Sequence, residues 1–230
     1  MATRFYFHAS GSILTASNPG FDANWEQTGQ ATRLPMDLKT QQGPQTALTN
    51  SSNITVPITT TQDILCYQFV SNQIFKPAKL DASTTFSLVF RTLESATTAN
   101  CFLAYSLRAF DVRGLASLGT ISSNFAGGGT EYAAAAQTRI FAATAITATQ
   151  IDQLFRLVLE IGSHAAAPTA ATTYTLRTGD NAASDFALTS GLTTDLNSWF
   201  ELSTNLNALV VQNAMHVRAP SGISVTEKTR

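Results

Sequence analysis

Apolar residues recur at every second position in segment after segment of this chain, a period that suits strands pleated against a core and does not suit helices. Phe5 and Phe7 flank Tyr6, and Phe86, Leu88 and Phe90 alternate with Ser87, Val89 and Arg91. Leu103, Tyr105 and Leu107 lie opposite Phe102, Ala104, Ser106 and Arg108. Phe155, Leu157, Leu159 and Ile161 share one face of another segment, with Arg156, Val158 and Glu160 on the other. The pattern predicts strands over 4–8, 86–92, 101–110, 154–161, 172–178 and 199–202. Ile54, Val56 and Ile58 alternate as well, and Pro57, lacking an amide hydrogen, predicts an edge strand there. Thr60 to Asp63 then leads into Ile64 to Val70, which reads as a hairpin. The Ala-rich stretch Tyr132 to Thr149 contains enough Thr and Ile to favour strand or an irregular crossing over helix. About 8 to 10 strands with Gly and Pro turns, and no helices between them, predict an all-β, two-sheet antiparallel sandwich of jelly-roll-like type. No fixed-period repeat is visible, which argues against a solenoid or propeller.

A chain of 230 residues buries a sizeable core in one domain, expected over 1–212. Within it, Pro35 to Asn53 is rich in Gln, Thr, Asn and Ser around Gly43-Pro44, and reads as an extended loop or arm. Residues 213–230 read as a C-terminal tail: Met215, Val217, Ile223 and Val225 alternate as a strand would, Pro220-Ser221-Gly222 interrupts them, and the end is charged. Charged residues make up only 13% of the chain, about half the usual share. Its exposed surface is therefore built largely from hydroxyl and amide side chains, which lose less on contact than ions do. Net charge is -1, from 14 basic and 15 acidic residues with no basic stripe, so no nucleic-acid partner is expected. No stretch approaches the ~18 apolar residues of a membrane span. The N-terminus runs into a strand pattern without an apolar leader, so synthesis in a cytoplasm is expected.

Candidate chemical groups are scattered. His8, His164 and His216 have no ligand partner at metal-binding spacing, so no metal or other cofactor is expected. Gly127-Gly128-Gly129 lacks the lysine and the strand–loop–helix setting of a phosphate cradle. Asp180 and Asp185 read as Asx turns rather than calcium ligands. Glu26, Glu94, Glu160 and Glu201 stand apart, and partners such as Arg33, Arg91 or Arg156 are expected for them. No nucleophile elbow or Cys–His pairing is present, so neither catalysis nor catalytic residues are predicted. Cys66 and Cys101 fall inside strands and read as buried free thiols. Trp25 and Trp199 read as core or sheet-seam residues rather than sugar platforms.

The order of several short motifs resembles a group of tailed-bacteriophage virion proteins from aquatic phages. These are Arg4-Phe5-Tyr6-Phe7, Phe21-Asp22-Ala23-Asn24-Trp25-Glu26 with Arg33-Leu34, and Gln68-Phe69-Val70-Ser71. Glu94-Ser95, Arg113-Gly114, Leu159-Glu160-Ile161-Gly162 and Trp199-Phe200-Glu201-Leu202-Ser203 come after them in the chain. The resemblance runs over residues 4–203, and Asn205 to Arg230 extends past it. It implies a β-sandwich structural component without catalytic residues, a capsid decoration (cement) protein or a neck or tail part. Other virion proteins, such as major capsid or tail proteins, are the partners it implies, with self-assembly, a trimer foremost. The alternative is a glycan-binding sandwich, either a phage fibre module or a lectin-like adhesion protein.

Overall fold

The computed structural model describes residues 2–39, 50–56, 61–96, 100–126, 129–167, 172–180, 182 and 184–209, the backbone alone for 50–56 and 172. Thirteen strands are present among them: β1 (Thr3–Phe7), β2 (Thr32–Asp37), β3 (Asn50–Val56), β4 (Gln62–Ser71), β5 (Ala78–Leu80), β6 (Thr85–Glu94) and β7 (Cys101–Asp111). They continue with β8 (Ser117–Asn124), β9 (Gln137–Ala145), β10 (Thr149–Ile151), β11 (Phe155–Ala165), β12 (Thr172–Thr178) and β13 (Trp199–Leu202). The fold is the all-β sandwich expected from the alternation.

Eleven strands form one sheet in the order β3-β12-β6-β13-β1-β2-β4-β11-β7-β8, with β9 on the other edge of β6, and β10 pairs β5 separately. β12 and β13 share one edge of β6, β13 along Phe86–Val89 and β12 along Arg91–Glu94. β1 meets β2 at only two positions, Tyr6↔Asp37 and Phe7↔Met36, and there the sheet passes from one layer to the other. The layers face each other through aromatic rings: Phe86 of β6 stacks on Tyr105 of β7 at 4.5 Å, and Phe90 lies 6.3–6.4 Å from Tyr67 and Phe69 of β4. The core cluster takes the residues predicted for it, Phe5, Phe7, Phe86, Leu88, Phe90, Leu103, Tyr105, Leu107, Phe155, Leu157, Leu159 and Ile161.

Pairing departs from the sequence expectation in three places. β4 is antiparallel to β11 and parallel to β2, so the hairpin expected between 54–58 and 64–70 does not form. β3 instead pairs β12, and it does lie at the sheet edge; Pro57 falls outside the described residues. The segment expected to be an arm has both its ends in strands, Pro35–Asp37 in β2 and Asn50–Asn53 in β3, which leaves 40–49 outside the described residues. The tail at 213–230 also lies outside them, as do Gly127, Gly128 and His216.

An irregularity in β4 shapes the outer face of its layer. Opposite β11 the register of β4 slips between Ile161↔Tyr67 and Gly162↔Leu65, making Cys66 a bulge residue. Cys66 and Tyr67 therefore both enter the core, while Leu65 and Gln68 turn outward. A Cβ on Gly162 would lie 2.0 Å from the Ile64 carbonyl oxygen and 2.7 Å from the Trp25 ring, so only glycine fits there.

Candidate functional site

A sandwich needs one buried face per layer, yet the outward residues of β4, β7 and β11 are buried too. The long connection between β1 and β2 covers them. At one end of this strap Ile13 packs on Val70, Phe110 and Val158. At the other, Trp25, with Phe21 and Ala31 beside it, packs on Leu65 and Ala104, and Phe125 meets the Trp25 ring edge-on at 4.7 Å.

Between these apolar ends lies an ionic cluster. Glu160 of β11 is wholly buried and accepts four hydrogen bonds. Gln68 Nε2 (2.9 Å) and Arg108 Nη2 (2.5 Å) donate to its Oε1, while the Asp22 amide (3.0 Å) and Trp25 Nε1 (2.7 Å) donate to its Oε2. Arg108 also donates to the Gly20 carbonyl (2.7 Å), and Gln68 to that of Pro19 (3.2 Å). Ser106 Oγ donates to Asp22 Oδ2 (2.6 Å), Arg33 Nε donates to Gln68 Oε1 (2.9 Å), and the Arg33 guanidinium lies 4.1 Å from the centre of the Phe21 ring. Arg156 fastens the far end: its guanidinium donates to the carbonyls of Ser71, Asn72, Leu14 and Val112, and burial lowers its pKa.

The opposite layer is covered in the same manner. The connection between β12 and β13 lies over β1, β13 and β6, where Phe186 packs with Val89 and Trp199. Arg4 Nη1 contacts Asp185 at 3.1 Å and its Nε contacts Glu201 at 3.0 Å, with the guanidinium 3.9 Å from the Trp199 ring centre. Tyr6 donates to Asp185 at 2.7 Å, and burial together with that carboxylate pushes its hydroxyl up to about 12. Arg91 pairs with Asp195 and donates to the Thr193 carbonyl at 2.8 Å. Four strand arginines thus hold two straps.

The chemistry open to these groups is narrow. A carboxylate whose lone pairs already hold four donors beneath a strap has none left to move a substrate proton. Glu94 is different: it is buried beside Glu131, and burial followed by that neighbour pushes it up to about 7. Glu26 accepts from the Asp63 amide rather than from an arginine. Of the expected carboxylate partners, an arginine does meet Glu160 and Glu201, but these are Arg108 and Arg4; Arg33, Arg91 and Arg156 go elsewhere. Asp180 and Asp185 are not simple Asx turns. Asp180 lies 3.4 Å from His8 Nε2, and Asp185 receives Arg4, Tyr6 and Asn197. His164 Nδ1 meets Asp63 at 2.9 Å, a pairing invisible in sequence because the two are joined only by register across β11 and β4. Among the described residues no three His, Cys, Asp or Glu side chains converge as metal ligands. No helix among them is long and apolar enough to cross a membrane.

Trp25 and Trp199 are buried as expected, and Trp199 Nε1 donates to the Phe186 carbonyl at 2.8 Å. Cys66 and Cys101 are buried thiols outside any disulfide, Cys66 donating to the Tyr174 hydroxyl at 3.7 Å, and burial pushes Cys101 up to about 12. Sequence reasoning missed the convergence of Gln68, Arg108, Glu160 and Asp22. A signal existed: each strand residue among them sits at an outward position of a strand whose outward neighbours, such as Val158, Ala104 and Val70, are also apolar, which marks a covered face.

No protein-family model matches the chain, and no curated protein matches it. Among solved structures it is similar to one of infectious bursal disease virus, Gt strain, over 69% of this chain and 39% of that one, at 14% identity and a TM-score of 0.29. A structure of the Gx strain matches over 70% and 43% respectively, at 13% identity and a TM-score of 0.25. The crystal structure of that virus's VP2 subviral particle matches over 66% and 39%, at 14% identity and a TM-score of 0.25. The chain spans about two-fifths of the length of these solved chains.

Proposed function

We propose that this chain is a non-enzymatic structural component of a bacteriophage virion, a capsid decoration protein or a neck or tail part that acts through protein–protein contacts. The observation that carries the reading is the use made of its buried charge. Arg4, Arg91, Arg108 and Arg156 all fasten straps across the two outer faces, and Glu160 is saturated in the same task. Such an arrangement covers the outer faces of β4, β7 and β11 on one layer and of β1, β6 and β13 on the other. What it leaves for partners is a sparsely charged surface and the sheet edges at β3, β8 and β9, where main-chain groups can accept an added strand. The motif resemblance to tailed-phage virion proteins supports the same role. Its partners would be major capsid or tail proteins and further copies of itself, with assembly in the host bacterial cytoplasm.

Mass spectrometry of purified particles tests this directly: the chain is expected at a fixed stoichiometry to the major capsid or tail protein. Its absence from particles overturns the proposal. A glycan-binding role has less support, because both tryptophans are buried between a strap and its sheet and offer no stacking platform. Specific, saturable binding on a glycan array would reverse that order.

A further inference from the structure

Three of the largest exposed apolar side chains lie together at one end of the sandwich. Leu14 is 61% exposed, Leu115 62% and Leu154 41%. They surround the turn between β7 and β8. Asp111 holds that turn by accepting from the Leu115 and Ala116 amides, and Ser17 holds the Leu14 segment against it by donating to the Arg113 carbonyl. Arg156 ties the carbonyls of Leu14 and Val112 together from below. Beside Leu154 lies a depression of about 550 Å³ lined by Asp111, Val112, Arg113, Ala116 and Gln153.

The last described residues, 207 to 209, lie at this same end. Ala208 bridges Phe75, which bridges Phe155, and the Leu209 amide donates to the Ile74 carbonyl at 2.7 Å. Two strand spacings, about 10 Å, separate Ala208 from the residue next to Leu154. Residues 207 to 209 run antiparallel to 74–76, in the direction of Asn72, whose carbonyl shares the Arg156 guanidinium with that of Leu14. From Leu209, the six residues to Met215 reach up to ~20 Å, enough to cross the patch. The sequence beyond offers Met215 and Val217, then Ile223 and Val225, two alternating apolar pairs parted by Pro220 and Gly222.

We propose that the Leu14, Leu115 and Leu154 end is an acceptor for the C-terminal segment Met215 to Val225 of a second copy of this chain, a contact that deepens and rests on the assembly role above. Leu209, from which the donor segment extends, and the acceptor lie at the same end, so copies meeting there would exchange segments reciprocally or around a small ring, and the association would close instead of growing into a fibre. The leucines supply side-chain burial for the apolar pairs.

The test uses purified full-length protein and needs no particle, so failure of the virion role and failure of this contact are told apart. Leu154→Cys in one tagged chain and Met215→Cys in a differently tagged chain are mixed and oxidised; Cys66 and Cys101, both buried, stay unreactive. A disulfide-linked pair carrying both tags is expected, formed only when both variants are present. A link confined to one chain in the doubly substituted protein, or no link at all, overturns the proposal. In sedimentation the full-length chain is expected to associate, and Met215→Asp with Val217→Asp to abolish that association while leaving the melting temperature unchanged. Association that survives this double substitution overturns it as well.

Discussion

Glu160 joins two strands to the strap through four hydrogen bonds, so Glu160→Ala strands the Arg108 guanidinium and the Trp25 and Gln68 donors in one step. Removing one partner of a buried pair leaves the other poorly compensated, here with Asp22 at 3.8 Å as the carboxylate still facing Arg108, and a loss of about 3 kcal/mol is expected. Chemical denaturation measures it, with red-shifted tryptophan emission reporting release of Trp25. Glu160→Gln keeps an acceptor oxygen and should lose less. Glu94 makes a pH prediction. In the folded chain burial and Glu131 hold it protonated up to about 7, while in the unfolded chain it loses its proton near 4.5. The folded state therefore binds the extra proton between those values, and stability falls as pH rises across that window before levelling off. Glu94→Gln should flatten this slope in melting curves taken from pH 4 to 8, and an unchanged slope would show that Glu94 is not its source.

Among the elements, β11 carries the most: it is the central strand between β4 and β7, buried on both faces. Leu157 is fully buried in the core, and Leu157→Asp is expected to abolish folding, since an unpaired buried charge costs as much as a domain's whole stability. A soluble variant with an unaltered melting curve would refute it. The bulge at Cys66 makes a second demand on this strand. Gly162→Ala drives a methyl into the Ile64 carbonyl and the Trp25 ring, neither of which can move without breaking the β4 pairing or the strap. A loss of about 3 kcal/mol or more is expected, measurable by denaturant titration. The strap explains why: at this point the strand has no free face.

For the molecule as a whole, two straps over two layers leave edges and ends as its least covered parts. The segment 40–49, flanked by β2 and β3, has few apolar anchors and is proposed to order against a neighbouring chain. Limited proteolysis within it should slow markedly when isolated protomers are assembled into particles. Equal cleavage in both states would remove it from the interface.

The division between sequence and tertiary structure follows the range of the physics. Face assignment is local, because the pleat puts alternate residues on opposite sides wherever a strand forms. Phe5, Phe7, Leu157 and Leu159 are therefore placed correctly from spacing alone, and β12 and β13 have the bounds that alternation predicts. Pairing is not local. Nothing in the chain around Ile64 says that its neighbours are Ser163 of β11 and the Gln27 bridge rather than the nearby 54–58 segment, so the expected hairpin fails. The same holds for charge: Glu160 and Arg108 are brought together by the β11–β7 register across 52 positions, and no spacing rule connects them. Alternation by itself determined that this is a sandwich and which side chains fill it. Which outward faces are covered, and by which strap, was decided only when strands distant in sequence found their register and the buried charges found one another.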